Sequence, residues 1–158
     1  MKNKINRRDF VRASAVAGAG PIPTGKERIL FVDDEEGLCK TGKGMLERLG
    51  YQVTVKTSPV DALEAFREKP DSFDLVITDL TMPHMTGIQM AKEMLSLRAS
   101  LPIILCSGFS EMMTPDRAKS TGIRKFLLKP LIMTDLGKAV RCVLDEDGVF
   151  PWSFASST

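Results

Sequence analysis

The stretch Leu75-Val76-Ile77-Thr78-Asp79-Leu80-Thr81-Met82-Pro83 constrains this chain most. Leu75 to Thr78 form a short apolar run with Asp74 before it and Pro83 beyond it. An uninterrupted run of this length predicts a strand buried on both faces, as in a parallel sheet. The run stops at a carboxylate. Asp79 is therefore expected at the carboxyl end of a buried strand, where open α/β sheets place their ligand crevice.

The rest of the chain supplies the other layers. Arg28-Ile29-Leu30-Phe31-Val32 predicts a first strand ending in Asp33-Asp34-Glu35-Glu36. A helix over about 35–49 follows, with Leu38, Met45, Leu46 and Leu49 on one face, Gly50 as its stop and Gly42 and Gly44 weakening its middle. Lys40-Thr41-Gly42-Lys43-Gly44 lacks the context and spacing of a phosphate-binding P-loop. Tyr51 to Val55 predicts the second strand. Ser58 caps a helix with Pro59 at its first position, running to about Lys69. After the Asp79 strand, Thr86 starts a helix to about Leu97. Residues 102–106 predict a fourth strand leading into Ser107-Gly108, Thr114-Pro115 opens a short helix ending at Gly122, Arg124 to Leu128 predict a fifth strand leading into Lys129-Pro130, and Met133 to Leu144 predict the last helix. Strands alternating with helices imply an α/β fold: a doubly wound five-stranded parallel sheet with right-handed crossovers, order 2-1-3-4-5, and helices on both faces.

The 158 residues suit one domain, and 43% hydrophobic with 27% charged residues is ordinary globular composition. The net charge of +2 conceals an asymmetry. Residues 1–28 carry seven Lys/Arg against Asp9 and Glu27, whereas the following 130 carry 15 against 18. The basic balance thus belongs to the leader and does not indicate a nucleic-acid surface. Within the leader, Asn6-Arg7-Arg8-Asp9-Phe10 resembles a twin-arginine export motif, but Gly20-Pro21-Ile22-Pro23 cuts its apolar stretch short; a disordered basic tail is the alternative. The expected organisation is a leader and linker over 1–25, a domain over 26–146, and a tail over 147–158 too short for an output module. No segment is long enough to span a bilayer, and a cytoplasmic location is expected. Cys39, Cys106 and Cys142 have no metal-like spacing and read as buried or inert thiols of a reducing compartment.

In a sheet of this order, Asp33 and Asp34, Asp79, Ser107 and Lys129 end strands whose carboxyl ends are adjacent, so these side chains should meet in one crevice. Three carboxylates together repel. A hard cation such as Mg²⁺, taking carboxylates, a backbone carbonyl, waters and phosphate oxygens, resolves that repulsion. A lysine beside it adds charge for phosphate, and a serine hydroxyl can hydrogen-bond a further oxygen. The set describes phosphoryl transfer to a carboxylate nucleophile. Each residue alone could merely cap a helix or occupy a turn; their coincidence at four strand ends favours chemistry.

These pieces, Phe31-Val32-Asp33-Asp34-Glu35, Ile77-Thr78-Asp79-Leu80-Thr81-Met82-Pro83, Cys106-Ser107-Gly108 and Phe126-Leu127-Leu128-Lys129-Pro130, make residues 27–146 resemble a response-regulator receiver domain, the flavodoxin-like phosphoacceptor of two-component signalling. The spacing is also similar to receivers of hybrid histidine kinases. The resemblance implies that Asp79 accepts a phosphoryl group from a phosphohistidine on a histidine kinase or histidine phosphotransfer protein. It implies Mg²⁺ held by Asp33, Asp34, Asp79 and the Thr81 carbonyl, with Asp34 the more direct ligand, and Lys129 on the acyl phosphate. It further implies a switch in which Ser107 moves to the phosphoryl group and Phe126 rotates inward. The signal to a downstream protein is expected to leave through the surface that runs from Gly108 through the short helix and the fifth strand to the last helix, with the largest change over residues 107–130. No turnover beyond self-phosphorylation and self-dephosphorylation is expected. Thr81 and Phe109 would flank the approach of hydrolytic water, predicting a long-lived phosphoprotein. The competing enzymatic reading is an aspartyl-phosphate-forming phosphatase of haloacid-dehalogenase-like type; it wants a second acid two residues after the nucleophile, a place held by Thr81 after Asp79 and by Glu35 after Asp33, neither in the expected strand-end context. A flavodoxin-like cofactor binder would want a Ser/Thr/Gly-rich phosphate loop after the first strand, which is absent from the sequence.

Overall fold

The computed structural model describes residues 21–108, Arg117 and 120–145. Its elements are β1 (Arg28–Val32), α1 (Glu36–Arg48), β2 (Gln52–Lys56), α2 (Pro59–Glu68), a 3₁₀ turn (Pro70–Ser72), β3 (Leu75–Asp79), α3 (Gly87–Leu97), β4 (Ile103–Ser107), β5 (Lys125–Leu128) and α4 (Met133–Asp145). The five strands form one sheet of order β2-β1-β3-β4-β5, and every neighbouring pair is parallel. The expected fold class is therefore the observed one. Element ends differ from the expected ones by a residue or two, as helix and strand ends do. Most of the helix expected from Thr114 to Gly122 lies outside the described residues, although Arg117, Ser120 and Thr121 are helical.

Alternation along each strand feeds two cores. On one face Leu30, Val32, Val76, Ile103 and Leu105 pack against Ala62, Leu63 and Phe66 of α2 and Met90, Ala91 and Met94 of α3. On the other, Ile29, Phe31, Leu75, Ile77, Ile104 and Cys106 pack against Cys39 and Leu46 of α1 and Leu136, Ala139, Val140 and Val143 of α4. Both faces being covered is why the strands read as unbroken apolar runs.

Local chemistry fixes where the helices begin. The Ser58 hydroxyl accepts from the Asp61 N–H at 3.3 Å, with Pro59 as the first helical residue. Thr86 and Gln89 form a reciprocal capping box at the start of α3. Gly42 does more than weaken α1. A Cβ there would lie 2.5 Å from the Phe31 ring, so glycine lets the helix lie close to the sheet. A Cβ on Gly44 would meet open space.

Residues 21–25, which read as linker, lie against the domain. The Gly25 N–H donates to Leu49 O at 3.0 Å, Arg141 donates to Thr24 O at 3.4 Å, and Ile22 packs on the core beside α4. Gly50, at φ 96°, leaves room for the Gly25 carbonyl, and Gly137 for Ile22. Arg141, only 6% exposed, ties this corner together: it pairs with Glu27 and, at 2.7 Å, with Asp145, and lies over the Tyr51 ring.

Candidate functional site

Register assembles the crevice. Val32 pairs with Thr78 across β1 and β3, which sets Asp33 beside Asp79. Asp79 pairs with Cys106, and Ser107 pairs with Leu128, so Ser107 and Lys129 follow at the same end of the sheet. The Lys129 N–H donates to Ser107 O at 2.8 Å, and the Lys129–Pro130 peptide bond is cis.

The Lys129 ammonium lies 2.8 Å from Asp33 Oδ2 and 2.9 Å from Asp79 Oδ1. Asp33 also accepts the Glu35 N–H on Oδ1 at 3.0 Å, through which β1 runs into α1. Asp33 and Asp79 are buried, Asp34 is exposed, and one carboxylate oxygen from each of the three can be chosen so that all lie within 4.8 Å of one another. Burial raises the Asp79 carboxyl above the usual range; the Lys129 bonds pull against that shift, and the Asp33 charge adds to it. Burial disfavours the Lys129 ammonium, but its bonds to Asp33 and Asp79 outweigh that and hold it charged.

The donor set is three carboxylates on converging strand ends, one of them open to solvent. Oxygen-only donors at this spacing suit a hard divalent cation, and a single lysine leaves the cluster net negative. Ser107 is buried at the end of β4 and Thr81 is exposed two residues past Asp79. Phe126 is buried among the core residues between the sheet and α2–α3, so it already faces inward. Phe109 lies outside the described residues. Asp33, Asp34, Asp79, Thr81, Ser107 and Lys129 thus sit at or just beyond one end of the sheet, whereas Phe126 lies within β5, paired with Leu105. Two neighbours escaped sequence reading. The Thr78 hydroxyl donates to Asp79 O at 3.0 Å, and Gly87 abuts the same carbonyl. The polar residue inside an apolar strand was the available signal for the first; nothing in the local sequence distinguished Gly87 from an ordinary helix start.

A five-stranded doubly wound sheet of this order with an acidic, lysine-bridged crevice at its carboxyl end defines a flavodoxin-like α/β domain. The family model described as the response regulator receiver domain matches residues 29–141, and the chain belongs to this family. Among relatives, it is 39% identical over 107 residues to the transcriptional regulatory protein ZraR of Salmonella typhimurium, covering 68% of this chain and 24% of that protein. It is 35% identical over 134 residues to the two-component response regulator ORR24 of Oryza sativa subsp. indica, covering 82% and 21%. The chain thus spans about a quarter or less of the length of these relatives. Among solved structures, a receiver domain protein of Clostridium thermocellum superposes with TM-score 0.72 at 28% identity, over 75% of this chain and 94% of that one. The chemotaxis protein CheY4 of Vibrio cholerae gives TM-score 0.67 at 26% identity, over 76% and 100%. No helix among the described residues is long and apolar enough to cross a membrane.

Proposed function

We propose that this chain is a phosphoacceptor that takes a phosphoryl group from a phosphohistidine onto Asp79. One Asp79 carboxylate oxygen attacks phosphorus, the P–N bond to the donor imidazole breaks, and an acyl phosphate forms. The imidazole leaves with the bonding pair and takes up a proton. The observation that carries this reading is the Lys129 bridge between Asp33 and Asp79: a half-buried cation already stands beside the proposed nucleophile. Its ammonium can follow the phosphoryl oxygens as charge gathers on them. Asp33, Asp34, Asp79 and the Thr81 carbonyl are the residues that would hold Mg²⁺, which when bound would neutralise charge on the phosphoryl oxygens.

The donor is a histidine kinase or histidine phosphotransfer protein in the cytoplasm. Ser107 and Phe126 are the proposed switch residues, and the readout is the binding of a downstream protein rather than nucleic-acid contact by this domain. Turnover is confined to the domain's own phosphorylation and dephosphorylation. Incubation with acetyl phosphate and Mg²⁺ tests the reading. One phosphoryl group per chain on the wild type and none on Asp79→Asn is the expected result; equal incorporation in both removes Asp79 as acceptor.

A further inference from the structure

We infer that Thr78 is a positioning residue for the acceptor, its hydroxyl holding the Asp79 carbonyl and so aiming the Asp79 carboxylate and the Thr81 carbonyl at the cation site. The inference rests on the site proposed above and concerns a side chain that does not itself reach substrate.

Thr78 is 1% exposed in a strand otherwise apolar up to Asp79. A buried hydroxyl is costly unless it is bonded. Valine has nearly the same shape, suits a strand at least as well and brings no such cost. The hydroxyl here donates to Asp79 O at 3.0 Å. Around that bond the backbone is held at every turn. The Leu80 N–H donates to Cys106 O at 2.8 Å, and the Gly87 N–H donates to Leu80 O at 2.9 Å. On its remaining side the Asp79 carbonyl lies against Gly87, where a Cβ would overlap it and would come 3.0 Å from Leu105 Cδ1.

Both peptide groups flanking Leu80 are therefore fixed. The Asp79 carboxylate leaves the chain at one end of this pinned unit, and the Thr81 carbonyl lies just beyond the other. Loss of the hydroxyl leaves the Asp79–Leu80 peptide held by the Leu80 N–H bond alone, and loosens it about the Asp79 Cα–C bond. Rotation there shifts the two proposed ligands relative to each other, to which a small octahedral cation is intolerant.

The test titrates Mg²⁺ by calorimetry into the full chain, wild type beside Thr78→Val and Thr78→Ser, with thermal melts recorded without metal. Thr78→Val should bind Mg²⁺ roughly tenfold more weakly, the lower end of what loss of a ligand-orienting partner costs. It should melt close to the wild type, and Thr78→Ser, which keeps the hydroxyl, should restore affinity. Gly87→Ala should lose affinity as well. Gly42→Ala, crowded against Phe31 away from the carbonyl, should lose stability and keep its affinity. Wild-type affinity in Thr78→Val, or equal losses in the Val and Ser variants, overturns the positioning role while the cation site stands. Absence of Mg²⁺ binding by the wild type overturns the cation site, and the positioning role with it.

Discussion

Lys129 Nζ lies 2.9 Å from Asp79 Oδ1, joining the ends of β5 and β3 across β4. The same ammonium holds Asp33 on β1's side, so one side chain bridges two buried acids. Lys129→Met removes it and leaves both carboxylates facing each other. Loss of one partner of a buried pair is costly, and with partial exposure of the lysine we expect about 2 kcal/mol without divalent cation. Mg²⁺ should restore part of it, because a ligand that binds only the folded state stabilises that state. Urea unfolding with and without Mg²⁺ reads both quantities; an unchanged midpoint in metal-free buffer would contradict this account of the bridge.

The two adjacent acids after β1 should behave differently. Asp33 is buried and bonded to Lys129 and to the Glu35 N–H, so Asp33→Ala should lower metal-free stability. Asp34 is exposed beside the cluster. Its removal relieves repulsion, so Asp34→Ala should melt at or above the wild-type temperature without metal and bind Mg²⁺ more weakly. A large metal-free loss in Asp34→Ala would instead assign it to the start of α1.

Most of the fold was legible because its determinants are local. Apolar runs of four or five residues between turn residues announced the strands, and Ser58-Pro59 and Thr86 announced two helix starts through their capping chemistry. The site was legible for a related reason: Asp33, Asp79, Ser107 and Lys129 each terminate or follow a strand, and the parallel order brings those ends together. What escaped depends on contacts distant in sequence. Gly42 read as a weak point in α1 because only the packed structure shows Phe31 beneath it. Pro21 to Gly25 read as linker because composition cannot show that Gly50 and Gly137 make room for it. The Thr78 bond to Asp79 O is local, and a hydroxyl inside an apolar strand hinted at it, but the sequence does not show which acceptor the hydroxyl takes.

The two α1 glycines give a matched pair. Gly44 meets open space, so Gly44→Ala should stabilise by about 0.5–1 kcal/mol through helix propensity. Gly42→Ala carries the same propensity gain but crowds Phe31, and should be destabilising by about 1–3 kcal/mol net, as overpacked cores are. Guanidinium midpoints decide it; equal gains in both variants would show that α1 does not press on Phe31.

The corner around Arg141 should be visible in acid. Burial works against the Glu27 carboxylate, but the Lys26 N–H and the Arg141 guanidinium outweigh it and hold its carboxyl below the ordinary 4.5. A carboxyl depressed in the folded state contributes stability above its unfolded value and loses it as pH falls through the folded one. Glu27→Gln should therefore be less stable than wild type at pH 7, with the gap closing below about pH 4.5. Arg141→Met, which strands Glu27 and Asp145 together, should lose about 2–4 kcal/mol at pH 7. A Glu27→Gln gap that is constant from pH 7 to pH 3 would contradict the ion pair.

Assigning the phosphoryl group to a residue tests the central claim most directly. The wild-type chain is phosphorylated with acetyl phosphate and Mg²⁺, the acyl phosphate is reduced with borohydride, and the peptides are mapped by mass. The account predicts reduction of the Asp79 side chain to homoserine in the peptide containing Leu75–Pro83, and its loss when Mg²⁺ is withheld. Modification at Asp33 or Asp34 instead, or a fully phosphorylated protein whose residue 79 survives reduction unchanged, would contradict it.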